Sequence, residues 1–225
     1  IVGIIGPNGA GKTTLFNIIT GFVTPTSGRV FFDGAEITGR PPADVCALRI
    51  ARTFQSVRLF RNMTVWENVW VGQNRMVGYG LRSLLPQRRR ERVFSARVDH
   101  LLDAFHLGLK RHQLAGALAF GEMRRLELCR ALATGPTLLL LDEPASGLTP
   151  VETRQLIEDL RGLRDEGLTL MIIEHDMNVA MGLSDRIVVL NFGEKIAEGP
   201  PGEVRASPEV VKAYLGHEAL AGAHG

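Results

Sequence analysis

Gly6-Pro7-Asn8-Gly9-Ala10-Gly11-Lys12-Thr13 is the stretch that decides how this chain is read. The eight residues match G-x-x-x-x-G-K-[ST] in full, a pattern that carries meaning only between a strand and a helix. Both flanks comply. Ile1–Ile5 is a short apolar run that predicts a buried parallel strand, and Thr13–Thr20 reads as a helix with Leu15, Ile18 and Ile19 on one face. Glycines at these positions let successive backbone N–H groups curl around phosphate oxygens, and the helix start adds positive potential. Lys12 is expected to reach the β- and γ-phosphates of a nucleotide, and the Thr13 hydroxyl to ligate Mg²⁺. The whole stretch Gly6, Pro7, Asn8, Gly9, Ala10, Gly11, Lys12 and Thr13, with Thr14 behind it, is therefore expected to line the phosphates.

A companion appears downstream. Leu138–Leu141 predicts a second buried strand, ending in Asp142-Glu143-Pro144. Ligands of open α/β sheets bind at the C-terminal edge of the strands, so Asp142 is placed to hold Mg²⁺ directly or through water. Glu143 is then the natural group to orient and deprotonate an attacking water.

Working outward, Arg29–Phe32 with the Asp33-Gly34 turn predicts a short antiparallel excursion. From about Thr64 to Ala133 the chain reads as mostly helical, with Phe94, Val98, Leu101, Leu102 and Phe105 spaced along one face. Thr149-Pro150-Val151-Glu152 predicts a helix start, carrying Leu156, Leu160 and Leu163 to an end near Gly167. Leu168–Ile173 predicts a third apolar strand, closed by Glu174-His175-Asp176. Ile187–Leu190 and Lys195–Ala197 flank a predicted hairpin turn, and Ser207-Pro208-Glu209 starts a last, short helix. Strand–helix alternation of this kind gives an α/β fold with a mainly parallel sheet and a helical insertion in its middle.

Composition narrows the function classes. The 225 residues support one core, or one core with a smaller attached part. Lys and Arg number 26 against 24 Asp and Glu, a net charge of +2. So small an excess excludes an overall nucleic-acid footprint, and no nucleic-acid partner is expected. Cys46 and Cys129 stand too far apart to suggest a disulfide scaffold or a zinc site, and fit a reducing compartment. No apolar run approaches the roughly 18 residues of a membrane helix. A cytoplasmic globular protein is expected. Ile1 opens the chain within a predicted strand and without Met, so the polypeptide is expected to begin earlier.

Three further segments set the class of nucleotide-binding protein. Leu118-Ala119-Phe120-Gly121-Glu122 precedes the helical run Met123–Ala133, Thr53-Phe54-Gln55 lies upstream, and Ile173-Glu174-His175-Asp176 downstream. Taken singly, Gln55 and His175 are weak signals, since such residues most often serve a solvated loop or a structural contact. In this order and spacing the five segments resemble the ATP-binding-cassette ATPases over essentially the whole chain. They match that family's phosphate loop, Gln loop, signature (usually L-S-G-G-Q), carboxylate strand and switch histidine. A P-loop kinase or GTPase would need a lid or an Asn-Lys-x-Asp motif, and neither is found.

The resemblance implies a P-loop NTPase (RecA-like) sheet core at 1–63 and 134–225, with a helical signature subdomain at 64–133, in one domain spanning 1–225. It implies ATP and Mg²⁺ as ligands, with Thr13, Gln55 and Asp142 at the metal, and Lys12, Gln55, Glu143 and His175 in hydrolysis. It also implies a composite site. Two such chains pack head to tail, and Ala119, Phe120, Gly121 and Glu122 of one reach the γ-phosphate held by the other, with Gly121 allowing the close approach. Two departures stand out. Ala119 replaces the usual signature Ser, which is expected to weaken that contact. Ser146-Gly147-Leu148-Thr149 ends in Thr where the family's D-loop usually has Asp, which puts cross-dimer communication in question. The aromatic that stacks on adenine in this family is expected ahead of Ile1.

Thr53–Val65, Leu118–Gly121, Glu143–Leu148, Glu174–Met177 and Ala213–Gly216 are most similar to the ATPase subunits of branched-chain amino acid importers. The long Gly72–Gln113 insertion resembles that of the larger of their two ATPase types. The partners implied are a second ATPase subunit, two transmembrane permeases and, indirectly, an external substrate-binding protein. The place implied is the cytoplasmic face of the inner membrane. Permease helices are expected in a groove beside Gln55, rimmed by Val57–Phe60 and the helical insertion. Arg88-Arg89-Arg90 with Arg92 reads as a solvated helix face ahead of a lipid-headgroup contact. Urea, short amides or other amino acids stand as alternative cargo, and a soluble, non-transport cassette as an alternative role.

Overall fold

The apolar runs singled out above become the middle of one sheet. The computed structural model describes residues 1–73 and 87–221, side chains excepted at 87–91 and 215–221. In chain order, β1 (Val2–Ile5) leads into α1 (Lys12–Ile19), followed by the small hairpin β2 (Phe31–Phe32) and β3 (Ala35–Glu36). Then come α2 (Pro42–Ala47), β4 (Ile50–Arg52), α3 (Val65–Gly72), α4 (Gln87–Ala104) and α5 (Phe120–Ala133). The rest is β5 (Leu138–Asp142), α6 (Pro150–Asp165), β6 (Thr169–Ile173), α7 (Met177–Leu183), β7 (Arg186–Asn191), β8 (Glu194–Gly199), α8 (Pro201–Ala206) and α9 (Pro208–Ala221).

The main sheet runs β4-β5-β6-β1-β7-β8. Its first five strands are parallel and β8 returns antiparallel on β7. Helices cover both faces, so the central strands carry apolar side chains on each side: Leu139, Leu140 and Leu141 are all buried. The return to β8 needs only Phe192 and Gly193, both at positive φ (47° and 82°), the geometry of a two-residue hairpin.

The helix signals behave as chemistry dictates. Thr149 caps α6, its hydroxyl accepting from the Glu152 N–H while the Glu152 carboxylate accepts from the Thr149 N–H. Pro150 occupies the first turn, and Gly167, at φ 93°, ends the run. An equivalent reciprocal cap, Thr64 with Glu67, starts α3. The helical stretch between β4 and β5 is not a separate core. Val65, Val69, Val98, Leu102 and Leu126 belong to one apolar cluster with Leu139 and Leu141 of the sheet.

Three expectations need correction. The fully buried apolar side chain of α1 is Phe16, which the expected face left out; Leu15 and Ile19 are half-buried against the same core cluster, and Ile18 is half-buried. Phe105 is buried but lies past the end of α4. The last helix is not short, running from Pro208 to Ala221. The side chains of Arg88, Arg89 and Arg90, and those of Leu215 and Gly216, lie outside the described residues; Arg92 is exposed.

Candidate active site

β1 delivers Gly6 to a position that admits no side chain: a Cβ there would stand 2.1 Å from the Leu190 carbonyl oxygen of β7. The loop then turns through Gly9 and Gly11 at positive φ, and Gly11 opens α1. From the far side the β7–β8 turn braces it, the Gly193 N–H donating to the Ala10 carbonyl at 3.0 Å. Pro7 and Ala10 are buried, while Asn8, Gly9, Thr13 and Thr14 are exposed along the loop's outer edge. Lys12 is buried and curls back, its Nζ donating to the Gly6 carbonyl at 2.7 Å and the Pro7 carbonyl at 3.0 Å. Burial pushes the Lys12 ammonium down from its ordinary value, while the carboxylates of Glu143 and Asp142 pull it back up. An ammonium at a glycine loop ahead of a helix start has the chemistry to receive a phosphate.

Asp142 ends β5 next to this loop, and Glu143 follows at φ 50°, an uncommon conformation for a residue with a side chain. The turn is over-determined, since the Glu143 N–H donates to the Ile173 carbonyl of β6 at 2.9 Å. It aims the Glu143 carboxylate at two neighbours. Gln55 Nε2 donates to Glu143 Oε2 at 2.9 Å, and His175 Nδ1 lies 3.7 Å from the same oxygen. Behind His175, Glu174 is buried, and its Oε1 accepts from the Ala145 N–H at 3.0 Å. Burial pushes the Glu174 carboxyl up, against the pull of that hydrogen bond.

The fold thus brings together Lys12, Thr13, Gln55, Asp142, Glu143 and His175 at one edge of the sheet. A cavity of about 570 Å³ lies there, lined by Thr13, Asn17, Arg52, Gln55 and Asp142 among others. A hydroxyl and a carboxylate facing one cavity make an oxygen donor set, which suits a hard divalent cation. Asp142 Oδ2 is taken by Arg52, while Oδ1 meets no protein donor among the described residues.

Ala119, Phe120, Gly121 and Glu122 are not brought to that edge. They form the start of α5, where the Glu122 carboxylate accepts from the Ala119 N–H at 3.2 Å and pairs with Lys110. Ala119 and Phe120 are exposed. Gly121 is small for a reason internal to the chain: a Cβ would stand 2.2 Å from Glu152 Oε1. The Phe120 ring fills the space left open by Gly147 of the D-loop, so signature and D-loop touch.

Sequence reasoning overlooked four residues here. Arg124 of α5 donates to the Phe54 carbonyl at 3.1 Å and to the Gln55 carbonyl at 2.6 Å. Glu127, one turn on, accepts from the Arg58 N–H at 3.2 Å, with its carboxyl pushed up by burial. Arg52 and Glu174 complete the set. No local pattern marked these four, because the partners named here lie far away in sequence.

Residues 1–146 match the family model described as ABC transporter, and residues 194–219 match one described as branched-chain amino acid ATP-binding cassette transporter. The chain belongs to the ABC transporter family. The chain is 46% identical over 221 residues to the high-affinity branched-chain amino acid transport ATP-binding protein BraF of Pseudomonas aeruginosa, covering 96% of this chain and 87% of that protein. It is equally similar, at 46% over 221 residues, to LivG of Salmonella typhimurium, with 96% and 87% covered. A crystal structure of a nucleotide-free ATP-binding cassette from an ABC transporter superposes with a TM-score of 0.82 at 34% identity, covering 95% of this chain and 87% of that one. This cassette is accordingly an ATP-binding domain of the P-loop NTPase fold, an ATPase coupled to transport.

Proposed function

We propose that this cassette is the ATP-hydrolysing subunit of an importer for branched-chain amino acids. Its sheet core is formed by 1–63 and 134–225 and its signature subdomain by 64–133. The observation that carries the chemistry is the Glu143 carboxylate, aimed by a strained turn and held between Gln55 and His175 beside the phosphate loop. In this reading the loop N–H groups and Lys12 bind the ATP phosphates. Glu143 accepts a proton from the attacking water, Gln55 orients that water, and His175 holds the γ-phosphate and keeps Glu143 in place. Thr13, Asp142 and Gln55 would hold Mg²⁺, which when bound neutralises charge on the β- and γ-phosphates.

The exposure of Ala119 and Phe120 at the start of α5 supports a composite site, in which Ala119, Phe120, Gly121 and Glu122 close over the nucleotide of a second cassette, identical or related. Without the signature hydroxyl, contact there rests on backbone N–H groups at the helix start and on Glu122. Hydrolysis is then coupled to movement because the site closes only on pairing. The permease partners find a fitting surface. A groove of about 680 Å³, lined by Phe22, Val45, Phe54, Leu59, Phe60 and Arg130 among others, adjoins the Gln55 loop. No helix among the described residues is long and apolar enough to cross a membrane. Two permeases at the cytoplasmic face of the inner membrane would hold the cassette there, with an external binding protein supplying the amino acid.

The test is affinity purification of the protein from gently solubilised native membranes, with partners identified by mass spectrometry. Two permeases and a second cassette should be recovered, and vesicles carrying the assembly should take up leucine, isoleucine and valine. Recovery of soluble partners alone would overturn the transport role, and uptake of other solutes in their place would overturn the cargo.

A further inference from the structure

A buried guanidinium, that of Arg52, lines the cavity that gathers the metal-ligand candidates. Arg52 ends β4, whose register with β5 pairs it with Leu140, two residues before Asp142. Its Nη2 donates to Asp142 Oδ2 at 2.7 Å, with the two side chains only 5% and 3% exposed. Nη1 donates to Asn17 Oδ1 at 2.7 Å and to Thr20 Oγ1 at 3.2 Å, both on or just past α1. The guanidinium carbon lies 5.5 Å from the Phe16 ring centre and 5.1 Å from that of Phe54, next to Gln55. The helix of the phosphate loop, the carboxylate strand and the Gln loop therefore all grip this one cation.

A buried ion pair is weak support for stability, because desolvating both charges offsets most of their attraction. Its distinctive effect is on the field in the cavity. The cavity lining carries Arg52 and Arg58 against the single carboxylate of Asp142, with Lys12 and Glu143 close by, so its field does not favour a lone cation. We propose that Arg52 is a fixed counter-cation of the Asp142 carboxylate, holding it so that Oδ1 is presented while cancelling its charge. The cavity then holds a divalent cation weakly until nucleotide phosphates supply further negative charge, so that metal and nucleotide arrive together. This inference rests on the reading that Asp142 holds Mg²⁺.

The test uses Mn²⁺ alone, titrated into the nucleotide-free full chain, with free ion followed by electron paramagnetic resonance. Arg52→Gln keeps hydrogen-bonding donors but removes the charge, and should tighten Mn²⁺ binding by roughly tenfold or more. Arg52→Lys keeps the charge and should stay within about twofold of wild type. Unchanged or weaker binding in Arg52→Gln overturns the proposal. So does a gain in Arg52→Lys as large as that expected for Gln, which decides the matter even if the Gln variant folds poorly. Adding Asp142→Asn to Arg52→Gln separates the two readings. Loss of the tight binding supports both, whereas tight binding that survives the change removes Asp142 from the metal site and this proposal with it.

Discussion

Glu143 concentrates the chemistry in one side chain. Its left-handed backbone costs on the order of 1–3 kcal/mol, and the surrounding turn holds it nonetheless. A glutamine at this position keeps the contact with Gln55 but cannot take a proton from water. Glu143→Gln should lower ATP turnover by at least about a hundredfold while ATP binding persists, read by phosphate release and equilibrium nucleotide binding. Turnover near wild type would remove Glu143 from its assigned role. Glu174 gives a prediction in pH. Burial lifts its carboxyl above the ordinary value of 4.5, so the folded protein keeps that proton to higher pH than the unfolded chain. Stability is therefore lost as pH climbs from the unfolded value through the folded one. Glu174→Gln retains an acceptor for the Ala145 N–H and is spared that loss. The difference in melting temperature should shift in the variant's favour as pH rises above 4.5. A difference that stays constant would mean that ionising Glu174 costs the fold nothing.

At the scale of elements, α5 is latched to the Gln loop, Arg124 gripping two carbonyls and Glu127 one N–H. Hydrogen bonds from a charged donor contribute about 1.5–3 kcal/mol each. Arg124→Met should therefore speed amide hydrogen exchange at residues 54–58 by roughly tenfold or more, leaving that of β5 unchanged. Equal exchange in both proteins would mean the latch carries no load. None of this was legible in the sequence, where Arg124 reads as one more charge on a helix. What was legible followed local rules: a glycine loop between an apolar strand and a helix, Thr149 three residues before Glu152, and Leu138–Leu141 as an unbroken buried run. β4 was missed because three residues, one of them Arg52, make too short an apolar signal. The short helices α2, α7 and α8 were missed for the same reason. Phe16 was passed over although it is three residues before Ile19 and shares its core cluster, because the face was drawn through Leu15, Ile18 and Ile19 alone. Arg52 and Glu174 have no local meaning at all; each acquires one from a partner that only the sheet brings near.

At the scale of the molecule, the apolar groove should be separable from the catalytic edge. Phe60 is 50% exposed, and its own N–H and carbonyl are secured by Asn68, so its ring can be changed without unseating the loop. Phe60→Glu should reduce capture of permeases several-fold while leaving nucleotide affinity within about twofold, since buried aromatic anchors dominate interfaces. Capture equal to wild type would place the permease elsewhere. The strand order has a consequence for synthesis. β1, which carries the phosphate loop, lies between β6 and β7, and its partners run from Met171 to Val189. On the ribosome β1 therefore waits for both of these neighbours until the residues that form β6 and β7 have emerged. Even then the loop lacks its brace until Gly193 arrives. Contacts so distant in sequence form slowly. ATP can thus stabilise the nascent chain only once Gly193 has emerged, and a chain that stalls before β7 exposes an apolar strand for chaperones to cover.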